Sequence, residues 1–170
     1  MNKNSLDLKD DVYYDSKRKL IFSTDTFEED VHFINSSEPK NFVKKLFRSS
    51  ISDIVCKGGQ PEVYFLSLSL KKTNKNWLNS FTNELKKESI KYGLFLGGGD
   101  TIKSKKITIT ISVIGSIKQK PVFRNSAKIN DDIYVTGDLG DSYLGLLILK
   151  KKINFGKFNN YFRNSYQEPK

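Results

Sequence analysis

The sequence predicts an α+β fold: a mixed sheet covered by helices on one face. Two patterns and their order carry this expectation. Apolar and polar residues alternate cleanly in "KITITISVIGS", residues 106–116, and in "EVYFLSLSL", residues 62–70, which is the period of a half-buried strand. Apolar residues recur at helical spacing in residues 42–55 and 78–85. Strands and helices are interleaved without a strict βαβ rhythm, so adjacent strands are expected to be antiparallel in part.

The elements follow in chain order. "VYYDSKRKLIF" reads as two strands joined by a polar turn at Asp15–Lys19, and the second delivers Ser23, Thr24 and Asp25 at its carboxyl end. "EPKNFVKKLFRSSISDIVCKGG" reads as a helix with Phe42, Val43, Leu46, Phe47, Ile51, Ile54 and Val55 on its apolar face. Pro39 suits its first turn, Ser37 its cap, and Gly58, Gly59 and Pro61 its end. "NWLNSFTNELKKESIKYG" is a second helix, with Leu78, Phe81 and Leu85 inward and Gly93 as its stop. "LFLGGGDT" reads as a short strand breaking into a glycine turn. "DDIYVTG", residues 131–137, reads as a further strand, "DSYLGLLILKKK" as a third helix, and residues 155–170 have room for one more. The chain shows no internal repeat, low-complexity tract or Pro/Gly/Ser linker.

Composition narrows the class of protein. The 170 residues carry a net charge of +10, but the lysines are scattered or sit in short pairs. No arginine-aromatic signature accompanies them, so nucleic acid is not the expected partner. No apolar run reaches the ~20 residues of a membrane helix, and the opening "MNKNSLDLKDD" lacks the apolar core of a signal peptide. Cys56, the only cysteine, has no disulfide partner within the chain, which sets a reducing cytoplasm as the expected compartment. It is expected to be a buried residue of its helix.

Chemistry-bearing residues gather in "IFSTDTFEEDVHF", residues 21–33, where hydroxyls, carboxylates and the single histidine crowd together in a basic chain. Asp11 precedes the first strand, Asp25 ends the second, Asp53 lies close to the apolar face of the first helix, and Asp100 follows three glycines. A carboxylate so placed needs a positive partner, either lysine or a cation such as magnesium that prefers oxygen ligands. Gly97 to Gly99 would let backbone N–H groups approach a ligand. Arg124 is one of few arginines, and its planar fork suits phosphate as well as a surface ion pair. His32 has no second histidine to complete a zinc site. The sequence contains no P-loop, protein-kinase motif set or nucleophile elbow.

"KDDVYY", "STDTFEEDVHF", "SISDIVCKGGQPEVYFLSLSL", "LGGGDT", "ITISVIG" and "FRNSAKINDDIYVTGDLGDSYLGLLIL" occur in that order. Together they resemble the N-terminal domain of the thiamine-monophosphate kinase family. That family belongs to the superfamily of aminoimidazole ribonucleotide synthetase, selenophosphate synthetase and the hydrogenase-maturation dehydratase. The resemblance runs from about Asp10 to the last residue. It implies an aminoimidazole ribonucleotide synthetase-like N-terminal domain and ATP-dependent phosphorylation of thiamine monophosphate to thiamine diphosphate. It also implies magnesium as cofactor and a cytoplasmic homodimer paired through its sheets.

Carried over position by position, the resemblance makes Asp11, Ser23, Thr24, Asp25, Asp53 and Asp100 magnesium-site residues. Gly99, Asp100 and Arg124 become nucleotide-binding and His32 substrate-binding, and no catalytic general base is expected. Lys9 and Asp30 stand where the family has glycines, and Asn125-Ser126 departs from its Ser-Gly. The resemblance further implies that residues 1–170 form a single ATP- and magnesium-binding N-terminal domain. The family's second domain, with its D-x-S-D-G-L motif, is expected to be absent from this chain, and the isolated chain weakly active or inactive. Two alternatives stand beside this one: a superfamily relative acting on another substrate, and a non-catalytic nucleotide-binding dimerisation module. Turnover of thiamine phosphate would separate them.

Overall fold

The computed structural model describes residues 3–72 and 74–170. Met1 and Asn2, which open the segment read above for a leader, and Thr73 lie outside the described residues. The chain divides into two compact units, residues 1–126 and 127–170.

The first unit is built on a five-stranded sheet in the order β1-β2-β5-β3-β4. Its strands are β1 (Tyr13–Asp15), β2 (Leu20–Glu28), β3 (Gln60–Leu70), β4 (Phe95–Lys103) and β5 (Thr108–Ser116). β1 pairs with β2, β2 with β5 and β5 with β3 antiparallel, while β4 runs parallel to β3 at the edge. The sheet is therefore mixed, as the sequence predicts. Two helices, α1 (Val43–Cys56) and α2 (Lys75–Tyr92), supply its cover.

Strand alternation decides which face is covered. Ile109, Ile111 and Val113 of β5, Tyr64 and Leu68 of β3 and Ile21 and Phe27 of β2 are buried with Leu46, Phe47 and Ile54 of α1 and Phe81 and Leu85 of α2. The opposite face carries Thr24, Thr26, Thr110 and Ser112, whose hydroxyls pair across β2 and β5 at 2.5 and 2.9 Å, with Phe65 exposed on β3. Burying a large side chain on the covered face contributes about 1.5–3 kcal/mol. Arg48 and Glu88 then lock α1 to α2 through two charge-assisted bonds of 2.7 and 3.1 Å, largely shielded from solvent.

Several local expectations are corrected. α1 begins at Val43, after a 3-10 turn at Pro39–Asn41, and no side chain caps it, so Ser37 is not its cap. Val55 and Cys56 are exposed rather than part of the core, because the buried stripe of α1's last turn runs through Ile54 and on to Lys57, and successive helical positions turn about 100° away from it. α2 is capped by Asn74, whose carboxamide oxygen accepts the N–H groups of Asn76 and Trp77. Gly93 ends it in the left-handed region, as predicted. The glycines at 97–99 do not break β4 into a turn. They lie inside the strand, with a register shift against β3 between Tyr64 and Phe65.

The second unit holds α3 (Asp141–Leu149) and α4 (Asn159–Gln167), which pack on one another with Ile148 and Tyr166 buried. Tyr161 donates to Asp141 at 2.6 Å, and that carboxylate pushes its phenol up to about 12. Residues 131–137 form no strand: Ile133 and Tyr134 are almost fully exposed and pair with no neighbour in a ladder. The apolar alternation there is real, but a strand needs a partner edge, and none among the described residues supplies one.

Candidate functional site: a carboxylate pair and an arginine clamp

β2 and α1 together build a carboxylate pair. Alternation along β2 turns Ser23 and Asp25 toward the helices, while Thr24 faces the open side and bonds Ser112. Asp53 comes from α1, and Ser23 donates to its carboxylate at 2.7 Å. Asp25 is half-buried. Burial raises its pKa first and the Asp53 charge second, while Ser50 and His32 act the other way. The Ser50 hydroxyl is itself fully buried without a well-formed hydrogen bond of its own. Two carboxylates that feel one another's charge, flanked by the Ser23 and Ser50 hydroxyls, form an oxygen-only donor set that favours a hard cation.

His32 borders this pair from the loop after β2. Its ring accepts the Glu28 N–H at Nδ1, 3.0 Å away, which leaves the proton of the neutral ring on Nε2, and it packs edge-on against Phe27. Asp30, where the resembling family has glycine, sits at φ 68°, in the left-handed region that glycine adopts freely and aspartate tolerates. Lys45 of α1 donates to the His32 carbonyl at 2.8 Å.

Burial pushes the Lys45 ammonium down to about 8. The folded chain therefore gives up this proton near pH 8, while the unfolded chain holds it toward the ordinary lysine value of 10.5. Between those limits the unfolded state binds more protons, so stability rises with pH across the window. Lys45→Met is expected to be more stable than the parent at pH 7 and to lose that rise. Urea denaturation from pH 7 to 10.5 measures it, and identical pH profiles would contradict the buried-ammonium account.

A second group lies at the carboxyl end of α1, one turn beyond Asp53. Asp10, buried at the side chain, is ion-paired to the buried Lys57 and lies 3.7 Å from Arg124 Nε. Asp11, more exposed, is paired with the Arg124 guanidinium. Lys57 follows Asp53 by four residues, one turn further along the chain, and its carbonyl accepts the Val122 N–H at 3.1 Å. An open cavity of about 530 Å³ adjoins the group, lined in part by Lys9, Asp10, Phe123 and Arg124. The carboxylate pair and the arginine clamp are thus connected through one helical end.

Asp100 and Gly99 are not brought to the carboxylate pair. Gly99 is level with Asp25 across β3 and β5, three strand spacings away, or roughly 14 Å at ~4.8 Å each. Asp100 is paired in register with Ser67 on the alternate face and is exposed, its carboxylate accepting the Thr101 N–H. Among the described residues no group of three or more His, Cys, Asp or Glu is placed to hold a metal. Asp25 and Asp53 form a pair, and phosphate oxygens would have to complete a magnesium shell there.

The family model for the AIR synthase related protein N-terminal domain matches residues 9–117, well over half of the chain. The chain belongs to that family. Within the AIR synthase related family it is similar to thiamine-monophosphate kinases. That of Buchnera aphidicola subsp. Acyrthosiphon pisum is 36% identical over 153 residues, covering 88% of this chain and 47% of that protein. That of Leptospira interrogans is 37% identical over 148 residues, covering 85% of this chain and 48% of that protein. The crystal structure of thiamine monophosphate kinase from Aquifex aeolicus superposes with a TM-score of 0.84 at 30% identity, over 94% of this chain and 55% of that one. The complex of AaThiL with AMPPCP and TMP superposes equally well, covering 95% of this chain and 53% of that one. The chain thus spans about half the length of the curated relatives it matches.

Sequence reasoning missed Asp10, Ser50, Lys45 and Lys57. Lys45, Ser49 and Asp53 follow at intervals of four on α1, a spacing that marks one edge of the helix and was readable. Which member of the Asp10-Asp11 pair is buried was not readable, since burial there depends on Lys57 folding back from the far end of α1.

Proposed function

We propose that this chain is the nucleotide- and magnesium-binding half of a thiamine-monophosphate kinase, acting in the cytoplasm and forming thiamine diphosphate from ATP and thiamine monophosphate. The observation that carries this reading is the Asp25–Asp53 pair with Ser23 and Ser50 around it, in a chain similar to those kinases. Magnesium would be held by Asp25 and Asp53, with Ser23 and Ser50 in support, and would neutralise charge on the transferring phosphoryl group. Asp11, Thr24 and Asp100 enter as further candidates for that shell, Thr24 and Asp100 needing rearrangement to reach it. Gly99, Asp100 and Arg124 are the candidate nucleotide contacts, and His32 is a candidate substrate contact.

Arg124 offers a guanidinium to the nucleotide phosphates, with Asp10 and Asp11 holding it in position meanwhile. The acceptor is itself a phosphate monoester, ionised at neutral pH. Its oxygen can attack the γ-phosphorus in line while the bond to the bridging oxygen of ADP breaks, with no proton to remove. The absence of a general base in the reading is therefore consistent with the chemistry, and the work of the chain is positioning and charge. The open sheet face, with Phe65 and Ile102 exposed, is the proposed homodimer surface.

The test is an assay of ATP, thiamine monophosphate and magnesium with the product resolved by chromatography. The 170-residue polypeptide by itself is expected to turn over at least a hundredfold below the kinase range of about 1–100 per second, because a half-site forfeits much of the gain from orientation. Turnover within that range would show that this half suffices for catalysis, against the half-site reading. Failure to bind nucleotide at all would contradict the function.

A further inference from the structure

A second cavity, of about 520 Å³, opens at the carboxyl ends of β3 and β4, and none of the residues assigned above to metal, nucleotide or substrate lines it. Its basic wall is Lys71, Lys72 and Lys105, and its apolar wall is Leu70, Trp77 and Ile107. Lys71 is neutralised by Glu29, 2.5 Å away, and that buried carboxylate also receives the Ser36 hydroxyl. Among the described residues Lys72 and Lys105 take part in no ion pair. The lining therefore keeps two uncompensated positive charges.

The neutral groups around them are fixed. Trp77 donates its indole N–H to the Ser36 carbonyl at 2.7 Å and stacks on Phe81 at 5.2 Å. Asn74 uses its oxygen to cap α2, which leaves its amide nitrogen as a donor at the rim. The Ser104 N–H is held by the Leu70 carbonyl at 2.8 Å, which sets the base of the cavity.

Two positive charges match the −1.5 to −2 of a phosphate monoester at neutral pH, where a carboxylate would leave one lysine unpaired. The volume exceeds that of a bare phosphate and falls in the range of about 300–1,000 Å³ that takes a small organic molecule. We propose that this cavity binds a small organic phosphomonoester, its phosphate between Lys72 and Lys105 and its carbon body against Leu70, Trp77 and Ile107. The site needs no magnesium, since its cations are its own side chains. It stands independently of the kinase reading, so either can fail without the other.

Trp77 is the only tryptophan in the chain, so its fluorescence reports this cavity alone. The experiment titrates the full chain with phenyl phosphate in magnesium-free buffer, with inorganic phosphate and benzoate as comparison probes, and repeats it with the K72Q/K105Q double variant. Expected is a saturable fluorescence change with phenyl phosphate, about tenfold tighter than with either comparison probe. The double variant is expected to bind about tenfold or more weakly, as suits the loss of two charge-assisted contacts. Both lysines are exposed, and circular dichroism confirms that the variant is folded. No saturable change, equal binding by the double variant, or binding that requires magnesium would each overturn the proposal.

Discussion

Replacing Asp25 by asparagine is expected to abolish magnesium-dependent stabilisation by nucleotide while raising the melting midpoint of the metal-free chain. The two effects have opposite signs and one cause. Burial and the Asp53 charge raise the pKa of Asp25, so the folded chain holds this proton to a higher pH than the unfolded chain does. Stability therefore falls as pH rises from the ordinary carboxylate value of 3.8 through the raised value, and the full penalty is present at neutrality. Asparagine removes that charge and its repulsion of Asp53. A gain of a few degrees is expected, each kcal/mol moving a chain of this size by roughly 2–4 °C. The same change removes a proposed metal ligand. Even outer-shell partners of a metal are worth about 10–100-fold in affinity, so a direct ligand should cost roughly a hundredfold or more. Thermal denaturation with and without magnesium and nucleotide measures both effects. A variant less stable than the parent in the absence of metal, yet stabilised by nucleotide as before, would count against both halves of the account.

Gly99→Ala is expected to detach β4 from β3. Gly99 pairs with Leu66 across the parallel edge, and a Cβ there would overlap the Leu66 backbone carbonyl oxygen. Neither atom is the flexible end of a side chain, so the strand itself must move. Overpacking of this kind reaches about 3 kcal/mol, equivalent to a fall of roughly 6–12 °C in a chain of this size. Amide exchange in β4 should accelerate before exchange in β5, because β4 is the edge and β5 is held on both sides. An unchanged midpoint and unchanged β4 protection would show that the glycine is not required by packing. In that case a contact with nucleotide would be the better reason for it.

This glycine also shows what the sequence could and could not tell. The triple glycine predicts a turn that approaches a ligand, because glycine runs commonly are turns. The structure instead uses them to let β4 lie close against β3, a tertiary reason invisible to local pattern. Period-2 alternation in β3 and β5 was legible, because each strand has one covered and one open face. The apolar face of α1 is legible from Phe42 to Ile54 and fails at Val55, which turns away from the sheet while Ile54 beside it is buried. The same alternation misled at residues 131–137, since pattern reports a capacity to pair and not the presence of a partner. For the site, the crowding of Ser23, Asp25 and His32 in one segment was visible, and Asp53 was marked by its place near the apolar face. Helical spacing places Lys45 on the same edge of α1 as Asp53, but neither it nor Ser50 gives a sign in sequence of facing a carbonyl or a carboxylate from another element.

Asp25 and Asp53 are proposed to hold magnesium against a nucleotide, and calorimetric titration of the chain with AMPPCP tests this most directly. Parent, Asp25→Asn and Asp53→Asn proteins would each be titrated with and without magnesium. Saturable binding by the parent that requires magnesium and is lost in both variants is the predicted result. Binding that is indifferent to magnesium, or equally tight in either variant, would contradict it.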